Sequence, residues 1–338
     1  MGLKVALLFN LAEQEEKGVD DPPDLGAEWD SEATVEAIRA SLAAAGHQVI
    51  PIEGRLPELT RLLTEPVDIA FNICEGFQGR NREAHVPAFL EMLGVPYTGS
   101  DVLTLAVSLD KPTTKKLLQQ SHVPTPKFQV FYSALDVLDN DLCFPLFVKP
   151  AHEGSSIGIT AASKVQTEAE LRERVAYVIR YYRQPALVEE FVKGREFTVG
   201  ILGNTELTVL PVMEVSFANV PEGANGVYSY QYKQEWTNPS NFLCPAPLDE
   251  FSTRLLQETA VMAYRAIGCH DVGRIDFRLS PTGIPQVIEI NPLPGLAPGY
   301  SDFPMAAQAA GIEHPELINR ILNHAIERLQ IRPVALHA

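Results

Sequence analysis

The chain has 338 residues, 46% of them hydrophobic, which is enough apolar material for two or three domains with their own cores. Its 27 Lys and Arg against 43 Asp and Glu leave a net charge of -16, which argues against nucleic acid or an anionic membrane as the main partner while leaving room for a local cationic site. No stretch is long and apolar enough to span a bilayer, MGLKVALLFN lacks the apolar core and cleavage site of a signal peptide, and Cys74, Cys143, Cys244 and Cys269 lie far apart with no C-x-x-C pair, so a cytoplasmic protein with reduced, buried thiols is expected.

In chain order, residues 3–9 read as a buried strand, and 31–45 as a helix opened by Asp30 or Ser31 and stopped by Gly46. Strand resumes at 48–52 and again at 67–73. A glycine-bearing loop then leads into a helix at 84–93 that ends at Gly94. This alternation predicts a parallel sheet with crossover helices over roughly the first hundred residues. From residue 111 to 186 a smaller α+β unit follows: a helix at 113–120, a strand at 127–131, and the stretch KPAHEGSSIG at 149–158 directly after the apolar run FPLFV. A helix at 168–182 completes it. Small side chains in KPAHEGSSIG let backbone N–H groups approach an anion, and the hydroxyls add donors. Its lysine precedes the glycines, unlike G-x-x-x-x-G-K-[ST], and Ile157, Ile159 and Thr160 suggest a second strand. Taken alone, a hairpin turn with a surface lysine reads as well.

The remainder mixes strands with helices at 249–267 and 315–329, without internal repeats. Two connections, 11–29 and 218–241, are long for a compact domain. The first contains the acidic, proline-bearing EQEEKGVDDPPD and reads either as a functional loop or as solvated disorder. The second interleaves aromatics with Lys233 in VYSYQYKQEW and suits a lid over a ligand, or a surface ribbon of tyrosines.

The strongest pattern is GRIDFRLSPTGIPQVIEINP, two apolar-patterned flanks around a turn. A two-residue turn at Thr282 and Gly283 would pair Asp276 with Glu289 and Arg274 with Asn291. The period of two along a strand puts all four on one face. Facing carboxylates repel unless a cation lies between them, and Asp, Glu and Asn oxygens suit magnesium. The alternative is an exposed acidic pair on a wet sheet face.

Lys149 with EGSSIG, the run LVEEFVKGREFTVGIL, the hairpin VGRIDF with VIEINPLPG, and LGVPYTGSDVLTLAVSLDK together resemble the D-alanine:D-alanine ligases of the ATP-grasp superfamily, over residues 67–329. The resemblance implies an α/β and α+β chain: an ATP-grasp fold with an N-terminal parallel-sheet (pre-ATP-grasp) domain at 1–102, a central subdomain at 103–187 and a catalytic subdomain at 188–338. It implies an ATP-dependent carboxylate–amine ligase that joins two amino acids through an acyl phosphate and releases ADP and phosphate. The implied cofactors are ATP and two Mg2+ ions, with Mn2+ as a substitute. The implied partners are amino-acid substrates and a second copy of the chain, with neither nucleic acid nor membrane.

Carried over by position, Lys111, Lys149, Glu153 and Ser156 would meet the nucleotide and its phosphates. The segment Glu189, Glu190, Phe191 and Val192 would take the adenine edge, and Glu196 the ribose. Asp276, Glu289 and Asn291 would hold metal, with Glu289 bridging two ions. Arg274 would steady the acyl phosphate and tetrahedral intermediate, Gly295 would add a backbone donor, Lys233 would reach the transferring phosphate from the lid, and Ser155, the partner of a lid tyrosine in the family, would complete the catalytic set. The departures from the family pattern lie on the amino-acid side. No glycine-rich turn opens the chain, so Glu28, or Asp30 one register away, is nominated for the substrate amino group. Glu75 stands for a histidine in EGFQGRNREAH, where Arg80 and Arg82 also enter. Gln234 replaces a lid tyrosine. PLPGLAPGYSDFP is one residue long, with Ser301 and Asp302 where the acceptor carboxylate would bind; Asp302 faces either the pocket or outward as a helix cap. Alternatives are therefore a ligase of the same mechanism with another acceptor, or a nucleotide-binding regulator without turnover, against which the retained Lys149, Arg274, Asp276, Glu289 and Asn291 argue.

Overall fold

The computed structural model describes residues 2–12, 24, 26, 28–217, 227 and 241–331, which build three sheets. The first is parallel, in the order β2-β1-β3, from β1 (Lys4–Phe9), β2 (Gln48–Glu53) and β3 (Ile69–Asn72). β1 and β3 are near-continuous buried runs because helices cover the sheet, whereas the edge strand β2 is only partly buried. The crossovers carry α1 (Glu32–Ala44) and the short α2 (Leu56–Leu59), and α3 (Arg82–Leu93) follows β3 before Tyr97 bridges back in parallel to Ala70. Ser31, not Asp30, caps α1: its hydroxyl accepts from the Thr34 N–H at 3.2 Å. Gly94, at φ 68°, ends α3 in the left-handed conformation that a side chain disfavours.

Two helices then abut. The apolar run VLTLAVSL forms α4 (Val102–Leu109), for which the sequence reading assigned no element, and α5 (Lys111–Gln120) follows after Asp110. The Asp110 carboxylate accepts from the Thr113 N–H at 2.9 Å, starting α5 two residues earlier than its composition suggests.

The second sheet is antiparallel in the order β4-β7-β5-β6, from β4 (Phe128–Phe131), β5 (Leu146–Pro150), β6 (Lys164–Val165) and β7 (Ala186–Glu190), backed by α6 (Glu168–Tyr182). No strand follows the glycine loop at 157–160. The N–H groups of Ile157 and Ile159 turn back onto the carbonyls of Gly154 and Ser156, at 2.9 and 3.0 Å, and Gly158 sits at φ 74°, so the segment is a pair of tight turns.

The third sheet runs β11-β10-β8-β12-β13, with β9 paired to β8. Its strands are β8 (Glu196–Gly203), β9 (Leu207–Val209), β10 (Met213–Val215), β11 (Phe242–Leu243), β12 (Val272–Leu279) and β13 (Pro285–Asn291). Helix α7 (Glu250–Ala266) packs Leu256, Ala260 and Tyr264 against Phe197, Ile275 and Phe277. Helices α8 (Asp302–Ala309) and α9 (His314–Leu329) return to the first sheet, where Ile318 and Leu322 share one core with Val5, Leu7 and Ile38. Of the four free thiols only Cys74 and Cys269 are buried; Cys143 is exposed and Cys244 partly so, correcting the expectation for these two. Among the described residues no helix is long and apolar enough to cross a membrane.

Candidate active site

Strands β12 and β13 set the centre of the site. Asp276 pairs with Glu289 and Arg274 with Asn291, as the alternation requires, but the turn is not the two-residue one. Ser280 and Ile284 close a three-residue turn through Pro281, Thr282 and Gly283, with Gly283 at φ 79°. That turn alone would offset the pairing by one. A bulge opposite the Asp276–Phe277 step takes up the offset, so Ile288 and Glu289 both border the cleft while Val287 and Ile290 stay in the core.

Two cavities meet over this hairpin. Ser155, Arg274, Glu289 and Asp302 border both. The first lies between the second and third sheets and is lined by Lys149, Ser156, Phe191, Val192, Glu196 and Asp276, with apolar walls from Phe147, Ile159 and Ile288. Lys149 is 2% exposed, so its ammonium is held by a partner rather than by bulk water. Glu189 supplies the partner at 2.7 Å and also meets Lys115 at 2.5 Å. Burial would raise the Glu189 carboxyl, but the two ammonium groups outweigh it and hold it below its ordinary range. Burial pushes Lys115 down to about 8 despite that pairing. Glu189 thus lines the groove together with the chain at 190–192, and its carboxylate orients Lys149. Sequence reading missed Lys115, one turn beyond Lys111 on α5, and Arg278, which pairs with Glu196 at 3.0 Å and donates to the Val192 carbonyl at 3.2 Å. The period of two from Arg274 and Asp276 was the signal for Arg278.

The glycine loop is tied from outside. Gly154 N–H donates to Glu28 at 2.8 Å and Gly158 N–H to Asp24 at 2.6 Å, so these two N–H groups do not face an anion. Ser155 and Ser156 adopt φ of 46° and 61°, unusual for residues with a Cβ, and their N–H groups have no partner among the described residues.

Asp276 takes both Arg274 N–H groups at 2.9 Å, the Thr198 hydroxyl at 2.6 Å and the Asn291 amide at 2.9 Å. Burial would lower the Arg274 guanidinium, but Asp276 outweighs it and pushes it up. Glu289 lies 3.3 Å from the Lys111 ammonium, which also donates to the Glu153 carbonyl. Among the described residues no three His, Cys, Asp or Glu side chains group as a metal site. Two facing carboxylates and an amide are nevertheless hard oxygen donors that leave most of an octahedral shell to phosphate and water, and this set fits magnesium.

The second cavity, of about 740 Å3, opens at the carboxyl ends of the parallel strands, the usual ligand position in such sheets. Glu28, Asp30, Glu75, Lys111, Asn291, Gly295, Ser301 and Asp302 line it. Lys111 therefore sits on this side of the centre, apart from Lys149. Glu28 is engaged: Arg82 pairs with it at 2.7 Å and with Glu153 at 3.0 Å, and donates to the His152 carbonyl at 2.9 Å. Ser301 caps nothing with its hydroxyl, which accepts from the Ala297 N–H at 3.2 Å. Asp302, at the first turn of α8, borders both cavities and does not turn outward. Lys233 and Gln234 lie outside the described residues. The structure thus gathers the other proposed site residues around one centre, with Glu153 behind it on Arg82 and Gln184.

Residues 117–323 match the family described as D-ala D-ala ligase C-terminus. The chain is 34% identical over 309 residues to a D-alanine–D-alanine ligase of Pelotomaculum thermopropionicum, covering 88% of this chain and 93% of that one. It is 38% identical over 308 residues to the uncharacterized protein y4sG of Sinorhizobium fredii, covering 89% of each. The crystal structure of D-alanine–D-alanine ligase from Bacillus anthracis complexed with ATP shares the fold, with a TM-score of 0.74 over 97% of this chain and 99% of that one, at 23% identity. With a family match over most of its length and relatives above the identity at which families hold together, the chain belongs to the D-alanine–D-alanine ligase family and has its ATP-grasp fold.

Proposed function

We propose that the protein is an ATP-dependent carboxylate–amine ligase joining two amino acids, with the nucleotide between the second and third sheets and the amino acids in the larger cavity. The observation that carries this reading is the junction: Ser155, Arg274, Glu289 and Asp302 border both cavities, so a γ-phosphoryl group entering from one side meets a carboxylate entering from the other. A carboxylate is a poor acyl donor because oxide would have to leave. Attack of its oxygen on the γ-phosphorus, with ADP leaving, gives an acyl phosphate; attack by an amine on the acyl carbon then expels phosphate.

Phosphoryl transfer depends on positioning and charge neutralisation. Lys149, fixed by Glu189, meets the triphosphate, and the N–H groups of Ser155 and Ser156 take its terminal oxygens. Arg274, fixed by Asp276, faces the oxyanion that develops at the acyl carbon, with Gly295 beside it. Asp276, Glu289 and Asn291 would hold magnesium, which, when bound, offsets the charge of the phosphoryl oxygens. Lys233, in the proposed lid, would close on the same phosphate and keep water from the acyl phosphate. ADP release measured over a matrix of amino-acid pairs tests the reading: stimulation by at least one pair, with stoichiometric peptide, is expected. A nucleotide that binds without release under any pair would overturn it.

A further inference from the structure

The larger cavity carries more carboxyl groups than a simple amino acid can meet. Glu28 is paired with Arg82, Glu289 with Lys111, and Asp302 lies close to Arg274. Asp30, Glu75 and Glu83 remain on the opposite wall, and none of the three receives a side-chain hydrogen bond or ion pair from any described residue. They come from separate elements: Asp30 precedes α1, Glu75 follows β3, and Glu83 lies in the first turn of α3. Glu83 is 8% exposed, so more than nine-tenths of it is buried, and its remaining surface lines the cavity. A buried carboxylate without a partner costs several kcal/mol in general, and of the three Glu83 is buried while Asp30 and Glu75 are partly exposed to the cavity, where a cationic ligand would neutralise them.

The three also differ in their neighbours. Glu83 is close enough to Lys111 and Glu289 to feel their charges, whereas Glu75 feels those of Glu83, Glu28 and Asp30. A substrate whose carboxylate is at Arg274 would offer its α-ammonium to Glu83, which feels the neighbouring Glu289. A monoamino acid has one ammonium group for the three carboxyl groups. We infer that the amino acid seated against this wall is a basic one, carrying a second ammonium or a guanidinium group that Glu75 and Asp30 hold. The electrostatics are compatible with this: burial lifts the Asp30 carboxyl to about 7 and the Glu83 carboxyl to about 8, and lifts Glu75 well above its ordinary range with Glu83 adding to it, so the wall alone favours protonated carboxyls and a bound cation would favour their charged forms. The Glu75 carboxylate stands where the family resemblance implies a histidine, so the feature belongs to this chain.

This inference rests on the ligase reading for its reaction but not for its binding. The test compares ornithine with norvaline, which has the same carbon chain and no terminal amine, in both chiralities. Each is paired with alanine for ADP release, and each is titrated by calorimetry into the full chain with magnesium and a non-hydrolysable ATP analogue. Ornithine of one chirality should exceed norvaline at least about tenfold in kcat/KM and in affinity. Glu75→Gln and, independently, Asp30→Asn should reduce that ratio to about threefold or less, with melting curves showing that each variant is folded. Equal use of the two amino acids, or equal binding, overturns the inference and leaves the ligase standing. Tighter binding of ornithine with no ADP release from any pair supports the basic subsite and removes the ligase reading.

Discussion

Lys149 and Arg274 are each held by an acidic partner, and the proposed positions of the nucleotide and the acyl group separate their roles. Glu189 holds Lys149 at 2.7 Å in the ground state, so its charge is in place before substrate arrives. Lys149→Ala should therefore raise KM for ATP and lower kcat. Arg274 is held by Asp276 beside the acyl site, where charge develops only during reaction, so Arg274→Ala should lower kcat about a hundredfold or more with little change in KM for ATP. Steady-state kinetics of the two variants check this; the reverse pattern would mean the roles are exchanged. A second prediction concerns pH. The Asp30 carboxyl is raised from 3.8 to about 7 by burial. Between these values the folded chain holds a proton that the unfolded chain has released. The associated stability is complete below the unfolded value and lost as pH rises through 7. Asp30→Asn should thus gain stability over the parent at pH 8, with a ceiling on the order of 4 kcal/mol, and the gain should shrink toward zero near pH 4. Denaturant midpoints at the two pH values measure it, and an equal gain at both would contradict the assignment. The same substitution should impair binding of a basic substrate, a trade of stability against function.

Two irregularities in the hairpin cancel at the element scale. The three-residue turn displaces β13 by one residue, and the bulge at Ile288 restores the pairing before Glu289 is reached. A reading that assumes a regular two-residue turn finds the correct partners for Asp276 and Arg274 because only the net offset matters at that end. Gly283 makes the turn possible: its φ of 79° is accessible to glycine, and no atom lies within 4 Å of where a Cβ would be. Gly283→Val should destabilise through the backbone alone, by about 1–2 kcal/mol. Because the bulge lies between the turn and the site, kcat per folded molecule should stay close to the parent value. A loss of kcat without loss of stability would show that the turn, not the bulge, fixes the register of Glu289. The glycine loop teaches a related point, since EGSSIG has the composition of a phosphate cradle, yet its glycine N–H groups at 154 and 158 serve Glu28 and Asp24.

Across the whole molecule, the N-terminal sheet and the C-terminal helices are one packed body. Val5, Leu7, Ile38 and Leu42 share a core with Ile318, Ile321 and Leu322. Asp271 anchors the joint. It is fully buried, pairs with Arg328 at 2.7 Å, and accepts from Gly99 N–H and the Asn204 amide, both at 2.9 Å. It also stands immediately before β12, the strand that carries Arg274 and Asp276. Arg328→Leu would leave that carboxylate buried without its cation and should cost about 3–5 kcal/mol, read as a lower urea midpoint. A change below 1 kcal/mol would mean that the N–H donors suffice.

The sequence by itself determined what is local. The helix at Glu168–Tyr182, the parallel order implied by strand–helix alternation, and the common face of Arg274, Asp276, Glu289 and Asn291 follow from capping, periodicity and a single turn, each contained within a few dozen residues. Tertiary structure decided which charges are satisfied. Glu28 is closed off by Arg82, Glu189 lies between Lys115 and Lys149, and Glu83 is left without a partner, although all are acidic residues in plausible site segments. The reason is physical: an ion pair forms over a few ångströms between elements that may be fifty or more residues apart, and its strength depends on the water that packing removes, neither of which a one-dimensional pattern contains.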